Sequence, residues 1–91
     1  MNNKQRKRLT AERARLESAH DVLEDIRETI EEIYGEENDK YENLPEGLQD
    51  SDLGMALQEA AERLEDAAYE LDDVSSQLSD IIDMIDEVIN T

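Results

Sequence analysis

The sequence predicts an all-α fold of two long antiparallel helices forming a coiled-coil-like helical hairpin. Apolar residues recur every seven positions on both sides of a single interruption, the interruption holds the only proline, and 91 residues leave room for one small domain. Steps of seven from Leu9 give Leu9, Leu16, Leu23 and Ile30, with Glu12, Ala19, Ile26 and Ile33 as companions three residues on. Steps of seven from Leu57 give Leu57, Leu64, Leu71, Leu78 and Ile85, with Ala60, Ala67, Val74, Ile81 and Val88 as companions. Repeats sustained over four and five heptads mark amphipathic helices rather than an acidic disordered chain.

The second helix also carries Ala61, Ala68, Ile82 and Ile89 beside its stripe. That widens the apolar face beyond a two-stranded seam, so dimerisation into a four-helix bundle is a route to a larger core. Its first half is lined with Ala and its second with Ile and Val, which implies close helix approach near the turn. In the antiparallel arrangement Ile30, Ile33 and Tyr34 meet the Ala-rich half.

Between the helices, Pro45 keeps Leu44 out of helical space and can open one short turn, while Gly47 permits a bend. Asp50 or Ser51 can cap the second helix. Gly54 falls in its first turn, where glycine costs least, and Gly35 is a candidate kink or end of the first helix. One hairpin domain over residues 1–91 follows, with helices at about 4–42 and 51–89, a turn at 43–50 and a basic arm at 1–15.

The formal charge is −17, unevenly spread. Residues 1–15 hold six basic side chains against Glu12, a net +5, and the remaining 76 residues hold three basic and 25 acidic groups, a net −22. Such a body is repelled by nucleic acid and anionic membranes and attracted to proteins that bind those polyanions. Folded antiparallel, the basic start lies beside Asp80, Asp83, Asp86 and Glu87, so mutual neutralisation across the hairpin is expected. A basic arm free to touch a partner is the alternative. No apolar run approaches the length of a membrane span, and no signal-peptide pattern follows the basic start, so a cytoplasmic location is expected.

Catalysis is not expected. Without cysteine and with a single histidine, thiol chemistry and Ser-His-acid arrangements lack their parts, and no Gly-rich phosphate loop occurs. Glu17 and His20 form a Glu-x-x-His pair of the kind that carboxylate-bridged metal bundles use, but Glu17 lies off the apolar stripe and the facing core positions are aliphatic. The pair reads as a surface histidine beside a surface glutamate. Asp50, Ser51, Asp52 and Gly54 resemble the start of a calcium loop, yet Ala61 occupies the position of its bidentate glutamate. No cofactor or metal is expected.

What remains is the carboxylate array. One heptad position of the second helix holds Glu59, Asp66, Asp73, Asp80 and Glu87, an outer face thickened by Glu62, Glu65, Glu70, Asp72, Asp83 and Asp86, and the first helix adds a stripe through Glu17, Asp21, Asp25, Glu28, Glu32 and Glu36. The i to i+4 rise of ~6 Å is similar to the phosphate repeat along a DNA strand, so two such stripes on a rod approximate the negative of a nucleic-acid groove. Asp21, Asp25, Glu28, Glu32, Glu59, Glu62, Asp66, Glu70, Asp73 and Asp80 are the candidate partner-binding residues. A solvated acidic surface, including one of halophilic origin, is the competing explanation.

The run Asn43-Leu44-Pro45-Glu46-Gly47-Leu48-Gln49-Asp50-Ser51, followed by Gly54, Glu59-Ala60 and Leu64-Glu65-Asp66-Ala67, resembles small acidic helical proteins of bacteriophages and prophages, as does the opening Lys4-Gln5-Arg6-Lys7-Arg8. The resemblance implies a phage context inside a bacterial host cell. By analogy with very acidic phage proteins that block defence nucleases, anti-CRISPR proteins among them, it implies an inhibitor acting as a nucleic-acid mimic. The expected partner is then a protein with a basic nucleic-acid-binding surface, a CRISPR nuclease for example, with no direct contact to nucleic acid or membrane. The alternative is a structural or assembly module, a homodimeric bundle with a solvated acidic surface. The secreted hairpin family with a Trp-x-Gly turn is similar in length, but this turn lacks the Trp.

Overall fold

The computed structural model describes residues 1–91 and contains α1 (Asn3–Glu42), α2 (Glu46–Gln49) and α3 (Asp52–Ile89). Asn2 opens α1 with a reciprocal cap: its side chain accepts from the Gln5 N–H at 2.9 Å, and the Gln5 side chain accepts from the Asn2 N–H at 3.3 Å. The helix then runs unbroken to Glu42, through Gly35. The expected kink is absent because a lone glycine removes no backbone hydrogen bond, and the flanking turns carry the helix across it.

Pro45 precedes the single turn of α2, in which Leu48 N–H donates to the Pro45 carbonyl at 2.8 Å. The Gln49 amide reaches back to the carbonyls of Leu44 and Tyr41 at 3.4 and 3.5 Å, tying the turn to the end of α1. Ser51 caps α3 by accepting from the Gly54 N–H at 3.3 Å. Gly54 is more than a cheap first-turn residue. It is buried, and a Cβ there would stand 2.2 Å from the Gln49 carbonyl oxygen, so α2 can fold onto the start of α3 only over a glycine.

α1 and α3 pack antiparallel along their whole length into a rod of 69 × 14 × 14 Å. Its radius of gyration is 20.3 Å, against roughly 12 Å for a globule of this length. Only 5 of 91 residues are buried, which makes the core a single seam. The interhelical pairs Arg13–Asp86, His20–Ser79, Glu24–Ser75 and Tyr34–Glu65 all have residue numbers totalling 99, so one register holds from end to end.

The leucine series is at the seam, as expected, but its companions differ. Each helix turns to its partner the residues four positions after the leucines. On α3 these are Ala61, Ala68, Ser75 and Ile82, all buried, with Gly54 in the same series. On α1 they are Arg13, His20, Arg27 and Tyr34, all half-buried. The expected companions Ile26 and Ile33 are 43% and 41% exposed, and Val74, Ile81 and Val88 are 42%, 43% and 46% exposed. The small residues of α3 explain the preference: Gly, Ala and Ser there make room for Arg, His and Tyr side chains, whose apolar stems cover the seam while their polar ends reach its edge.

Two substitutions separate the roles of the glycines. Gly35→Ala, whose Cβ would meet nothing within 4 Å, should stabilise the chain by about 1 kcal/mol and raise the melting temperature by about 4–8 °C. Gly54→Ala should lower it, at a cost of about 1–3 kcal/mol, as α2 is forced off the helix; thermal melts followed by circular dichroism read both.

Candidate protein-interaction surface

In an antiparallel pair the residues that immediately follow the leucines on the two helices share one edge of the seam, and those three positions after the leucines share the other. The two edges of this rod are chemically opposite. On the first, Arg13 Nε donates to Asp86 at 2.9 Å while its guanidinium also pairs with Glu17. One heptad on, His20 Nε2 lies 3.3 Å from the Ser79 hydroxyl. A further heptad on, Arg27 donates to Glu31 at 2.7 Å and Glu24 at 2.8 Å. Tyr34 then stands beside Glu65.

This polar ladder perturbs its members. The Arg27 guanidinium, followed by the Ser75 hydroxyl, holds the Glu24 carboxyl below its usual range. Ser75 Oγ is buried and lies close enough to exert that pull without forming a hydrogen bond of ordinary geometry. Hydrogen bonding to Asp86 raises Arg13, and the Glu65 carboxylate raises Tyr34. The ladder was readable as a heptad series in each helix, Arg13, His20, Arg27 and Tyr34 in one and Glu65, Asp72, Ser79 and Asp86 in the other. An apolar-only search for the seam passes over it.

His20 is therefore not a simple surface residue. Its side chain is 27% exposed and faces α3, while Glu17 turns to Arg13. No group of three or more His, Asp or Glu side chains gathers in a metal-holding arrangement. The basic arm and the acidic end of α3 meet through Arg13–Asp86; Asp80, Asp83 and Glu87 make no ion pair with it, and Arg15 pairs within α1 with Glu12 at 3.0 Å.

All ten candidate partner-binding carboxylates are exposed. Asp25 and Glu32 point directly away from the seam on α1, with Asp21 and Glu28 beside them, and Glu59, Asp66, Asp73 and Asp80 do the same on α3. The two sets consequently run along opposite sides of the rod and do not merge into one face, because each is set by its own helix's orientation toward the seam. Glu62 and Glu70 flank the α3 row.

Folding also divides the charge lengthwise. The half of the rod at the chain ends, residues 1–22 and 77–91, holds six basic and seven acidic groups, a net −1. The half at the turn, residues 23–76, holds three basic and 19 acidic groups, a net −16. Half of 69 Å is about 35 Å, so the turn half carries roughly one net negative charge per 2.2 Å, close to the ~1.7 Å spacing of duplex DNA.

No helix is long and apolar enough to cross a membrane. Compared with known proteins, the chain matches no family model, no curated protein and no solved structure.

Net repulsion among 26 carboxylates should outweigh the few exposed ion pairs. Adding sodium chloride should therefore raise the melting temperature, whereas dominance of the ion pairs would lower it. For Glu24 the sign follows from its lowered pKa: its contribution is complete above the ordinary value of 4.5 and is lost as pH falls through the lower folded value. Glu24→Gln should thus melt lower than the native chain at neutral pH, and the gap should close in strong acid.

Proposed function

We propose that this protein is an acidic interaction module that occupies the basic nucleic-acid groove of a DNA- or RNA-binding protein and works as a nucleic-acid mimic. The observation that carries the reading is the linear charge of the turn half, one negative charge per roughly 2.2 Å on a straight rod. A duplex carries its phosphates on two strands that wind around a cylinder; the two outward carboxylate rows share its two-sided charge but run straight along the rod. Helix–helix packing fixes their backbone positions, so little ordering is required on docking.

The resemblance to small acidic phage proteins extends the proposal to the target: a host enzyme of nucleic-acid metabolism or defence, such as a CRISPR nuclease, inhibited in the bacterial cytoplasm. Such inhibition needs no catalytic group and no cofactor. The rod excludes the true substrate by filling its groove.

Binding of this kind is mostly electrostatic. The affinity for a basic nucleic-acid-binding enzyme should fall steeply with salt, and the complex should exclude DNA from the groove. Salt-insensitive binding, or a ternary complex with DNA still seated, would contradict it. Asp66→Lys with Asp73→Lys replaces two negative charges of the α3 row by two positive ones, a net change of +4, without touching the seam. The pair should abolish competition with DNA while helical content is unchanged.

A further inference from the structure

The apolar edge of the rod has no partner within the chain, and its sequence is complementary to itself. We infer that it is the interface for a second copy of this chain, packed with the two rods antiparallel and related by a two-fold axis that passes beside Ile26 and Val74.

The first support is the stripe itself. Along α1 it contains Ala19, Val22, Ile26, Thr29 and Ile33, in alternating steps of three and four, and along α3 it contains Ala60, Ala67, Val74, Ile81 and Val88. The large residues of the set are 41–56% exposed in the single chain. A seam burying five residues leaves the hairpin marginal, and covering this stripe would give each helix a second packed face. From Glu12 to Lys40 the α1 stripe is ~42 Å long on a face 14 Å wide. Such a strip is of the order of the ~800 Å² that each side of a stable interface contributes.

The second support is the pairing that the two-fold axis creates. Reversing α1 about Ile26 sets Ala19 against the second copy's Ile33, small against large, puts Glu12 against Lys40 at the two ends, and brings Arg15 level with Glu37, one residue from Glu36. Reversing α3 about Val74, which lies at the same level of the rod, sets Ala67 against Ile81 and Ala60 against Val88. Both helices are thus self-complementary about one axis in volume, and α1 in charge as well, as an isologous contact requires. Within one chain Glu12 and Lys40 bond only to their helical neighbours Arg15 and Glu37, in exposed pairs that can be shared or exchanged.

The third support is the lengthwise charge. Antiparallel rods place the −1 half of one copy beside the −16 half of the other, whereas parallel rods would set the two −16 halves together. Mutual repulsion therefore selects the antiparallel form. In either form every helix is antiparallel to its two neighbours, so the helix dipoles favour a four-helix arrangement and the lengthwise charge sets its direction.

Sedimentation of the full chain tests the proposal without any other partner. A dimer is expected at micromolar concentrations, and a chain that stays monomeric into the millimolar range would overturn it. Ile26→Glu with Val74→Glu should weaken the dimer by ~100-fold or more with helicity retained, and an undiminished dimer would move the interface elsewhere. Orientation is read by cysteine cross-linking, since the native chain has no cysteine. Ile26→Cys alone should oxidise to a covalent dimer; if it does so only when combined with Val74→Cys, the rods are parallel and the two-fold axis proposed here is wrong. Glu12→Lys should weaken association and the added Lys40→Glu should restore it.

Discussion

The antiparallel register of α1 against α3 is the constraint from which the rest of the molecule follows. Hydrophobic burial alone would leave that register loose, because successive leucine layers differ little and a slip of one heptad would cover nearly as much apolar surface. What distinguishes the native register is the alternation of sizes across the seam. Arg13, His20, Arg27 and Tyr34 need space, and the series Gly54, Ala61, Ala68, Ser75 and Ile82 supplies it toward the turn and withdraws it toward the chain ends. Arg13 can reach Asp86, and His20 can reach Ser79, in only one alignment. The turn acts in the same sense: Gly54 lets α2 lie against α3, and the Gln49 amide holds that corner to the end of α1.

With the register in place, the rod acquires three surfaces of different character. One edge is the polar ladder, in which ion pairs and hydrogen bonds run along the helices and across the seam. The other edge is the exposed aliphatic stripe. The outward sides carry the carboxylate rows. Surface ion pairs of this kind contribute little stability individually, so the ladder matters for alignment more than for energy, a role best attested for polar groups at helical interfaces. The strong charge is tolerated because the rod is long and thin: at physiological salt each carboxylate repels chiefly its near neighbours, and charges farther along the rod than the Debye length of ~8 Å are screened.

Much of this was legible in the residues. The leucine heptads marked both helices, Pro45 marked the corner, and Ser51 was readable as a cap. The choice of companion positions was not, because Ile26 and Ile33 are more hydrophobic than Arg27 and Tyr34, and pattern reading ranks positions by hydrophobicity alone. The structure reverses that ranking because a pair of helices packs by volume, and the small residues of α3 accept a long side chain opposite. For the same reason Gly35 resembled a helix end by type, although nothing around it demands glycine. Glu24, Glu65 and Asp86 proved to line the seam's polar edge, whereas the ten candidate carboxylates were identifiable as surface from their positions off the leucine stripe. Their separation onto two sides, and the concentration of net charge in the turn half, depend on which face of each helix meets the other and on the chain folding back on itself.

The basic arm is the feature that a simple polyanion mimic leaves without a purpose. Within one hairpin it brings the chain-end half to near neutrality, so only half of the rod carries a duplex-like charge. Two antiparallel copies change the distribution: a dimer holds twice −17 along the same 69 Å, roughly one charge per 2.0 Å, and each half of the length carries an equal share. In that arrangement Arg15 and Lys40 serve as the register pins of the interface, and Lys4, Lys7 and Arg8 offset the turn end of the other copy, where Glu42, Glu46, Asp50 and Asp52 gather. Arm and acidic body then have one physical explanation. If two copies assemble as proposed, the arm directs the pairing of the rods, and the antiparallel pairing spreads the charge of the acidic bodies evenly along the length.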